Sequence, residues 1–321
     1  MNLTISKARG LKGVLSLPGD KSISHRAAIL GSLAEGETRI TSFLNTGDCL
    51  STLRCLGALG VRIEGVGGET LIVHGRGLFG LVEPEDVLDA GNSATTARLL
   101  CGVLSGQKFF SVISGDESLK KRPMGRVTKP LIKMGAEIWG REDAECLPLA
   151  IRGGDLTGIT FLSAVASAQI KSAILLAGLL AEGKTSVKEP YLSRDHTERM
   201  MKLMGADITA AETEVTITGR IPLNGVEIDI PGDASSAAFL VVAALITPES
   251  SLTLKQVGIS ATRTGFIDVL KEMGADIRFE NIQLKSNEPR ADIVVSSSKL
   301  RGVSVEGDIV PRLIDEVPVL A

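Results

Sequence analysis

Hydrophobic and polar positions alternate in several short stretches of the chain, and two longer stretches are apolar throughout. The alternating stretches, bounded by Gly, Pro and charged residues, predict β-strands; they are residues 38–43, 69–75, 108–114, 185–190 and 214–219. The apolar runs at 173–181 and 237–246 predict buried helices, because neither is long enough to span a bilayer.

A short pattern, an apolar helical turn followed by Gly, then Val or Ala, one polar residue and Ile, occurs four times. Its glycines, at intervals of 75, 70 and 69 residues, are Gly60, Gly135, Gly205 and Gly274. Gly in this setting is typical of a helix C-terminus. A second pattern, a helix start rich in small residues, precedes each glycine by 38 to 42 residues, at Ser22, Ser93, Ser167 and Ser235. The spacing predicts a repeated unit of helix, strand, helix, strand and strand.

A fifth start lies near Asp315, and the sequence ends six residues later. The repeat interval would place its Gly about 39 residues further on. An apolar helix from Ile314 to Ala321 would have barely two turns, which is marginal for a helix. We therefore expect a truncated or split chain; the alternative is a natural chain with a short terminal helix.

Composition narrows the function classes. A chain of 321 residues with 44% hydrophobic content can form more than one core, so two domains are expected. The net charge of −3, without a basic stripe, argues against a nucleic-acid binder. No Cys-x-x-Cys pair is present and the three histidines are scattered, which predicts buried thiols in a reducing compartment and no zinc site. The N-terminus has no signal-peptide core, so we expect a cytoplasmic protein.

The stretch at residues 18–33, PGDKSISHRAAILGSL, carries the strongest chemical signal. A Pro-Gly turn opens a helix that Asp20 or Ser22 can cap, and the free backbone N–H groups of a helix start favour an anion. Lys21 and Arg26 add two cations, which suits phosphate and carboxylate groups. Asp20 stands where a nucleotide P-loop needs Gly, so a P-loop is excluded. The alternative is a capped surface helix with solvated charges.

Two further motifs predict anion-binding turns. Residues 88–100, LDAGNSATTARLL, turn at Gly91 into a helix that begins with small polar residues. Residues 115–127, GDESLKKRPMGRV, place four cations around a Pro turn, namely Lys120, Lys121, Arg122 and Arg126. Each motif alone also fits a capped buried helix or a solvated loop. Their order along the chain favours a shared function.

Together the three motifs resemble the 5-enolpyruvylshikimate-3-phosphate (EPSP) synthase, or 3-phosphoshikimate 1-carboxyvinyltransferase, family, and the resemblance extends from Leu3 to Ala321. It implies an α/β fold of two lobes, each inverse α/β barrel-like and built from βαβαββ units. The chain would cross between the lobes at two Pro-Gly-Asp segments, residues 18–20 and 231–233. The predicted domains are a complete lobe of three units at 20–230 and an incomplete lobe at 1–19 plus 231–321.

The resemblance also implies a reaction and its residues. The enolpyruvyl group of phosphoenolpyruvate is transferred to the 5-hydroxyl of shikimate 3-phosphate and phosphate is released, a shikimate-pathway step of aromatic amino acid biosynthesis. The shikimate 3-phosphate contacts implied are Lys21, Ser22, Arg26, Ser167, Ala168, Gln169, Arg194 and Asp315. The phosphoenolpyruvate contacts implied are Lys21, Asn92, Ala94, Arg122 and Gln169. Lys21 and Asp315 are the expected catalytic residues, with Asp315 taking the proton from the 5-hydroxyl.

Chemistry supports this choice of residue types. Both substrates carry a phosphate and a carboxylate, so guanidinium and ammonium groups must offset their mutual repulsion. The reaction protonates the enolpyruvyl methylene and deprotonates the 5-hydroxyl, which calls for an acid and a base and for no metal or organic cofactor.

The chain differs from the family pattern in two ways, and each difference leads to a prediction. Ala94 stands where many members have Gly, a feature associated with tolerance to the inhibitor glyphosate; the alternative is neutral drift. The expected next segment, which in the family carries further acid/base and cationic residues, is not in this sequence, so a complementary C-terminal fragment is a candidate partner and activity is expected to need that segment.

Two other functions remain open. The UDP-N-acetylglucosamine enolpyruvyl transferases share the two-lobe fold but use Lys-Asn at the first turn and usually Cys in the basic loop, whereas this chain has Lys21-Ser22 and no Cys at 115–127. The chain could also be a non-catalytic, anion-binding fragment.

Overall fold

The computed structural model describes Thr4 and residues 10–321. Its strands are short and mostly of two to five residues: β1 (Lys12–Ser16), β2 (Ala34–Glu35), β3 (Glu37–Thr41), β4 (Arg62–Glu64), β5 (Thr70–His74), β6 (Leu88–Asp89), β7 (Phe110–Ser114), β8 (Glu137–Gly140), β9 (Cys146–Arg152), β10 (Thr160–Leu162), β11 (Lys184–Lys188), β12 (Ile208–Ala211), β13 (Glu214–Thr218), β14 (Leu223–Asn224), β15 (Glu227–Asp229), β16 (Ser251–Gly258), β17 (Asp276–Lys285) and β18 (Glu288–Ser296).

The helices alternate with these strands: α1 (Lys21–Leu33), α2 (Gly47–Ala58), α3 (Ala94–Ser105), α4 (Gly125–Lys133), α5 (Arg141–Ala144), α6 (Ala168–Leu180), α7 (His196–Leu203), α8 (Ala234–Ile246), α9 (Gly265–Glu272) and α10 (Val317–Leu320). Two 3-10 helices are Leu119–Lys121 and Gly307–Arg312. The five alternating stretches identified in the sequence overlap β3, β5, β7, β11 and β13. In the described part of the chain, no helix combines the length and the apolar character that crossing a membrane requires.

The chain divides into two compact units, and each has its own hydrophobic core. Unit 2 is Lys21–Ile230, and unit 1 is Pro231–Ala321 together with the N-terminal segment that ends at Asp20. The buried apolar residues form one cluster within 23–230 and a separate one within 234–313.

One sheet topology occurs four times. The four-stranded sheets have the orders β15-β3-β5-β4, β6-β7-β9-β8, β10-β11-β13-β12 and β1-β16-β18-β17. In each sheet the first pair is parallel and the other two pairs are antiparallel. The α/β class and the repeated unit predicted from the sequence are confirmed.

The repeat glycines end helices, as the pattern predicts. Gly60, Gly135, Gly205 and Gly274 have φ of 82°, 112°, 95° and 100°. In each case the amide after the glycine bonds the carbonyl five residues back, for example Val61 N to Leu56 O at 3.0 Å. Because a side chain is strained at such φ, glycine is the residue that lets each helix turn into the next strand.

The first strands of two repeats are exchanged. β1 precedes α1 in sequence but pairs with β16 of unit 1, whereas β15 precedes α8 but pairs with β3 of unit 2. The two Pro-Gly-Asp segments bond each other within unit 1: Asp20 N donates to Pro231 O at 2.9 Å, and Asp233 N donates to Pro18 O at 2.9 Å.

The helices of the repeat differ in how fully they are buried. In α1 and α6, 11 of 13 residues are buried, whereas α8 has six buried residues and exposes 61% of Phe239 and 66% of Ile246. The prediction that the whole run 237–246 is buried is therefore wrong. α8 packs on β16 and β18 with its alanine-rich face, whereas α3 and α6 also pack on each other.

Two local predictions need correction. The last helix begins at Val317 and not at Ile314, because residues 313–316 form a turn in which Glu316 N bonds Leu313 O at 2.9 Å. Of the four cysteines, Cys49, Cys55 and Cys101 are buried, but Cys146 is half-buried because it begins β9 beside the α5 turn.

Candidate functional site

The start of α1 holds the first predicted site residues. Lys21 is its first residue and is exposed, and its Nζ lies 3.4 Å from Oδ2 of Asp48 in the first turn of α2. Ser22 follows and is half-buried. An exposed pair of this kind contributes about 0.2–1 kcal/mol, so an anionic ligand can displace Asp48 from the lysine.

Arg26 lies one turn further along α1 and is only 4% exposed. Its guanidinium donates to Thr197 Oγ1 at 2.6 Å, to Ser172 Oγ at 2.7 Å and to Ser22 O at 3.0 Å. Ser172 and Thr197 also bond each other at 2.6 Å. Arg26 therefore joins α1 to α6 and α7 and fixes the position of Ser22.

At the start of α3, polar side chains are linked by hydrogen bonds. Ser93 caps the helix, because its side chain accepts from Thr96 N. Asn92, just before it, donates to Asp116 Oδ2 at 2.6 Å and accepts at Oδ1 from Arg122 Nη2 at 3.2 Å. Hydrogen bonds, first among them that from Asn92, lower the pKa of Asp116. Ala94 is the first residue of α3 and is 7% exposed.

Three arginines lie beside these hydrogen-bonded side chains. Arg98 of α3 donates to the backbone carbonyl of Pro123 at 3.0 Å, in the same loop as Arg122. Burial lowers the pKa of Arg98, and the charges of Arg122 and Arg126 lower it further. Within the described residues, none of the three forms an ion pair with a carboxylate. The three arginines therefore present an excess of positive charge, which favours binding of an anion.

Sequence reasoning missed Arg98. It lies in the motif at 88–100, between the apolar residues 97 and 99–101 and beyond the small polar residues that predict an anion-binding turn. Its position four residues after Ala94 places it one turn above the helix start, which is the signal that could have identified it.

The start of α6 joins the same set of groups. Gln169 Nε2 donates to Thr95 Oγ1 at 3.0 Å, and Gln169 Oε1 accepts from Arg98. Ser167, Ala168 and Gln169 are all half-buried. The structure thus brings Gln169 against Arg98 and against Thr95, which directly follows Ala94 in the chain.

α1 and α2 connect to α3 through hydroxyls. Thr52 of α2 bonds both Thr96 Oγ1 of α3 and His25 Nδ1 of α1, each at 2.7 Å. Thr96 Oγ1 also reaches the backbone carbonyl of Asp48 at 3.4 Å, beside Lys21. The first two turns of α1, α3 and α6 are therefore held together within unit 2.

The two remaining predicted residues are Arg194 and Asp315. Arg194 is half-buried and lies between β11 and α7, directly before the α7 N-cap. Asp315 belongs to unit 1, where it is exposed in the turn before α10.

The neighbour of Asp315 is buried in a charged cluster. Glu316 is 1% exposed; its Oε1 lies 3.6 Å from Arg263 Nη1 and accepts from Ser235 Oγ. Arg263 also lies 3.3 Å from Asp20 and 3.9 Å from Asp233. Burial alone would lower the pKa of Arg263, but these carboxylates raise it overall.

No group of three or more His, Cys, Asp or Glu in the described part of the chain is arranged to hold a metal ion. The expectation that the reaction needs no cofactor stays a prediction.

Comparison with known proteins identifies the family. A family model described as EPSP synthase (3-phosphoshikimate 1-carboxyvinyltransferase) matches residues 5–321. The chain belongs to the EPSP synthase family. The 3-phosphoshikimate 1-carboxyvinyltransferase of Desulforudis audaxviator is 57% identical over 321 residues, which are 100% of this chain and 75% of that protein.

Two further proteins support the same family. The enzyme of the same name from Geobacillus kaustophilus is 56% identical over 311 residues, 97% of this chain and 73% of that protein. The 2.37 Å structure of the EPSP synthase from Acinetobacter baumannii is 47% identical in sequence and superposes on this chain with a TM-score of 0.90. The superposition covers 98% of this chain and 71% of that chain. The predicted family, the two-lobe enolpyruvyl transferase fold class and the enzyme class, a transferase, are confirmed.

Proposed function

We propose that this protein transfers the enolpyruvyl group of phosphoenolpyruvate to the 5-hydroxyl of shikimate 3-phosphate, as the EPSP synthases do in the shikimate pathway. The single observation that supports it most is the joining of the α1, α3 and α6 starts beside Arg98, Arg122 and Arg126. Each helix start has a positive dipole end, and the arginines add full charges. Such a surface suits two substrates that each carry a phosphate and a carboxylate.

Phosphoenolpyruvate is assigned to the α3 side. Arg122 is oriented by Asn92, which is itself held by Asp116, so the guanidinium is set in place before the ligand arrives. Gln169 reaches this side through Arg98 and Thr95. Ala94 and Lys21 complete the proposed contacts.

Shikimate 3-phosphate is assigned to the α1 and α6 starts. The proposed contacts are Lys21, Ser22, Arg26, Ser167, Ala168, Gln169, Arg194 and Asp315. The buried Arg26 supports this assignment by fixing Ser22 and by tying α1 to α6, so that the two helix starts form one surface.

The proposed chemistry uses Lys21 and Asp315. The 5-hydroxyl oxygen attacks C2 of phosphoenolpyruvate while a general acid transfers a proton to the C3 methylene, and Asp315 accepts the hydroxyl proton. The resulting tetrahedral adduct then expels phosphate, and the conjugate base of that acid removes a proton from the methyl group, which regenerates the double bond. Lys21 and the arginines stabilise the charges that develop. Location in the cytoplasm and the division into lobes at 20–230 and at 1–19 plus 231–321 also remain proposals.

The test is release of inorganic phosphate by the full-length protein from phosphoenolpyruvate with each of two acceptors. We expect release with shikimate 3-phosphate and none with UDP-N-acetylglucosamine. Release with the nucleotide sugar only would overturn the proposal in favour of the related family. Binding of both shikimate-pathway substrates without release would favour a non-catalytic role.

A further inference from the structure

A lysine lies buried in unit 2 one turn beyond the start of α6. Only 2% of the Lys171 side chain is exposed, and its Nζ lies 3.0 Å from Oε2 of Glu189 and 2.8 Å from Oε1 of Glu198. Burial alone would lower the pKa of Lys171, but the charges of Glu198 and Glu189 outweigh burial and raise it. The ammonium group is therefore held charged in the interior, a costly state that persists only with such partners.

Glu189 connects this lysine to the start of α6. Its Oε1 accepts from the backbone N–H of Ser167, the N-cap residue, at 2.7 Å. The Ser167 side chain makes no capping bond of its own. A carboxylate at a helix N-terminus is favoured by the helix dipole, so Glu189 orients the first turn that contains Ala168 and Gln169.

The same groups hold the segment before α7. Ser193 Oγ donates to Glu189 Oε2 at 2.7 Å, and the Ser193 carbonyl accepts from Lys171 Nζ at 3.4 Å. Arg194 follows Ser193 directly, and Glu198 lies in the first turn of α7. Side chain and backbone of Ser193 are thus both fixed by the buried pair.

We propose that Lys171 is a positioning residue, which through Glu189 and Ser193 sets the first turn of α6 and the segment carrying Arg194 for binding shikimate 3-phosphate. The inference rests on the proposed function. It names Lys171 and Glu189 as determinants of the site although neither touches the substrate. Lys171 is the cation placed against both Glu189 and Glu198, so its removal takes the balancing charge from two buried carboxylates and both segments lose their common anchor.

A purely structural ion cluster would have a different signature. Its loss would lower stability, yet any folded variant would bind both substrates as before. Loss of a positioning residue raises KM for the substrate whose contacts it sets. The ratio of the two KM values therefore separates the roles.

The experiment compares the full-length protein with Lys171→Met, a neutral replacement of similar length. We expect KM for shikimate 3-phosphate to rise about tenfold, equivalent to about 1.4 kcal/mol, and KM for phosphoenolpyruvate to rise less, by at most about threefold, because Gln169 is the one proposed contact of these segments that the two substrates share. The control is Leu149→Ala, which opens a cavity in β9 at a fully buried site of the same unit. It should lower the thermal midpoint and leave both KM values unchanged. Equal changes in both KM values for Lys171→Met, or none, would overturn the inference.

Amide hydrogen exchange separates this inference from the proposed function. Lys171→Met should speed exchange at residues 167–169 and 193–195 relative to Leu149→Ala, whether or not the wild type turns over. Wild-type protein that releases no phosphate counts against the proposed function, whereas unchanged exchange at both segments overturns the positioning role. If Lys171→Met does not fold, Ser193→Ala removes only the hydroxyl bond to Glu189. It should raise KM for shikimate 3-phosphate about two- to fivefold, and an unchanged KM would refute the inference.

Discussion

Ala94 shows how one methyl group bears on inhibitor selectivity. It is the first residue of α3, nearly buried, and directly follows the N-cap and the Asn92–Arg122 pair. One added methyl in a well-packed place typically costs about 1–3 kcal/mol. Glyphosate is expected to fill the phosphoenolpyruvate site and to reach farther than the substrate, so the methyl should penalise the inhibitor more.

The prediction is that Ala94→Gly makes the enzyme more sensitive to glyphosate. The inhibition constant against phosphoenolpyruvate should fall by about tenfold or more, whereas KM for phosphoenolpyruvate changes less. Steady-state inhibition of both forms measures it. An unchanged constant, or tighter inhibition of the alanine form, would rule out the steric argument.

The cysteines give a second prediction at this scale. Burial raises the pKa of Cys55 and of Cys101 to about 12, so neither forms a thiolate near neutral pH. Cys146 is half-buried at the start of β9. Brief treatment of the native protein with iodoacetamide at pH 8, read by peptide mass spectrometry, should label Cys146 first, and Cys146→Ser should abolish the early label. Equally rapid labelling of Cys55 or Cys101 would contradict the account.

At the scale of elements, one carboxylate organises two β-bulges in unit 1. Asp292 lies on β18, and its partners are Lys255 Nζ at 2.7 Å, Gln256 N at 3.0 Å and Asn281 Nδ2 at 2.7 Å. The registers of β16 and β17 against β18 shift at these partners, where Gln256 and Asn281 have φ of 53° and 51°. The bonds therefore stabilise strained backbone on both sides of the central strand.

This carboxylate predicts a pH dependence of stability. Burial alone would raise the pKa of Asp292, but its hydrogen bonds with Lys255, Asn281 and Gln256 lower it to about 2, below the value of about 3.9 in an unfolded chain. The stabilisation is therefore complete above about pH 5 and is lost as the pH falls towards 2.

Urea unfolding of wild type and Asp292→Asn at several pH values measures this contribution. The difference in the free energy of unfolding should be largest at neutral pH and should shrink between about pH 5 and 2. A difference that stays constant over this range would show that the charge of Asp292 contributes nothing.

The sequence was most informative about repeating local structure. Gly60, Gly135, Gly205 and Gly274 could be predicted as helix ends because a positive φ leaves a direct trace in residue choice. The small-residue helix starts were also recognisable, although Ser93 and Ser167 are N-caps whereas Ser22 lies inside the first turn of α1.

Long-range pairing could not be predicted from the residues alone. The exchange of β1 and β15 joins strands about 190 to 240 residues apart, and short strands of similar composition carry no record of which sheet they enter. The role of Lys171 could not be predicted for a related reason. It stands in an apolar run, and only the fold shows that Glu189 and Glu198 meet it.

At the scale of the whole molecule, the two separate cores predict independent folding of unit 2. Its residues are contiguous in sequence, and β15 closes the sheet that contains β3, near the other end of the segment. A fragment of residues 21–230 should therefore unfold in one cooperative thermal transition monitored by circular dichroism. A broad, non-cooperative transition would show that unit 2 depends on unit 1.

The central claim is that the joined helix starts and their arginines bind two anionic substrates for enolpyruvyl transfer. The most direct measurement is kcat/KM for phosphate release by the full-length protein and by Arg122→Ala. We predict a loss on the order of 30- to 1,000-fold, equivalent to about 2–4 kcal/mol of transition-state stabilisation. Lys133→Ala, which removes an exposed cation at the other end of the neighbouring α4, should stay within about twofold of wild type. Near-wild-type kcat/KM for Arg122→Ala would contradict the account.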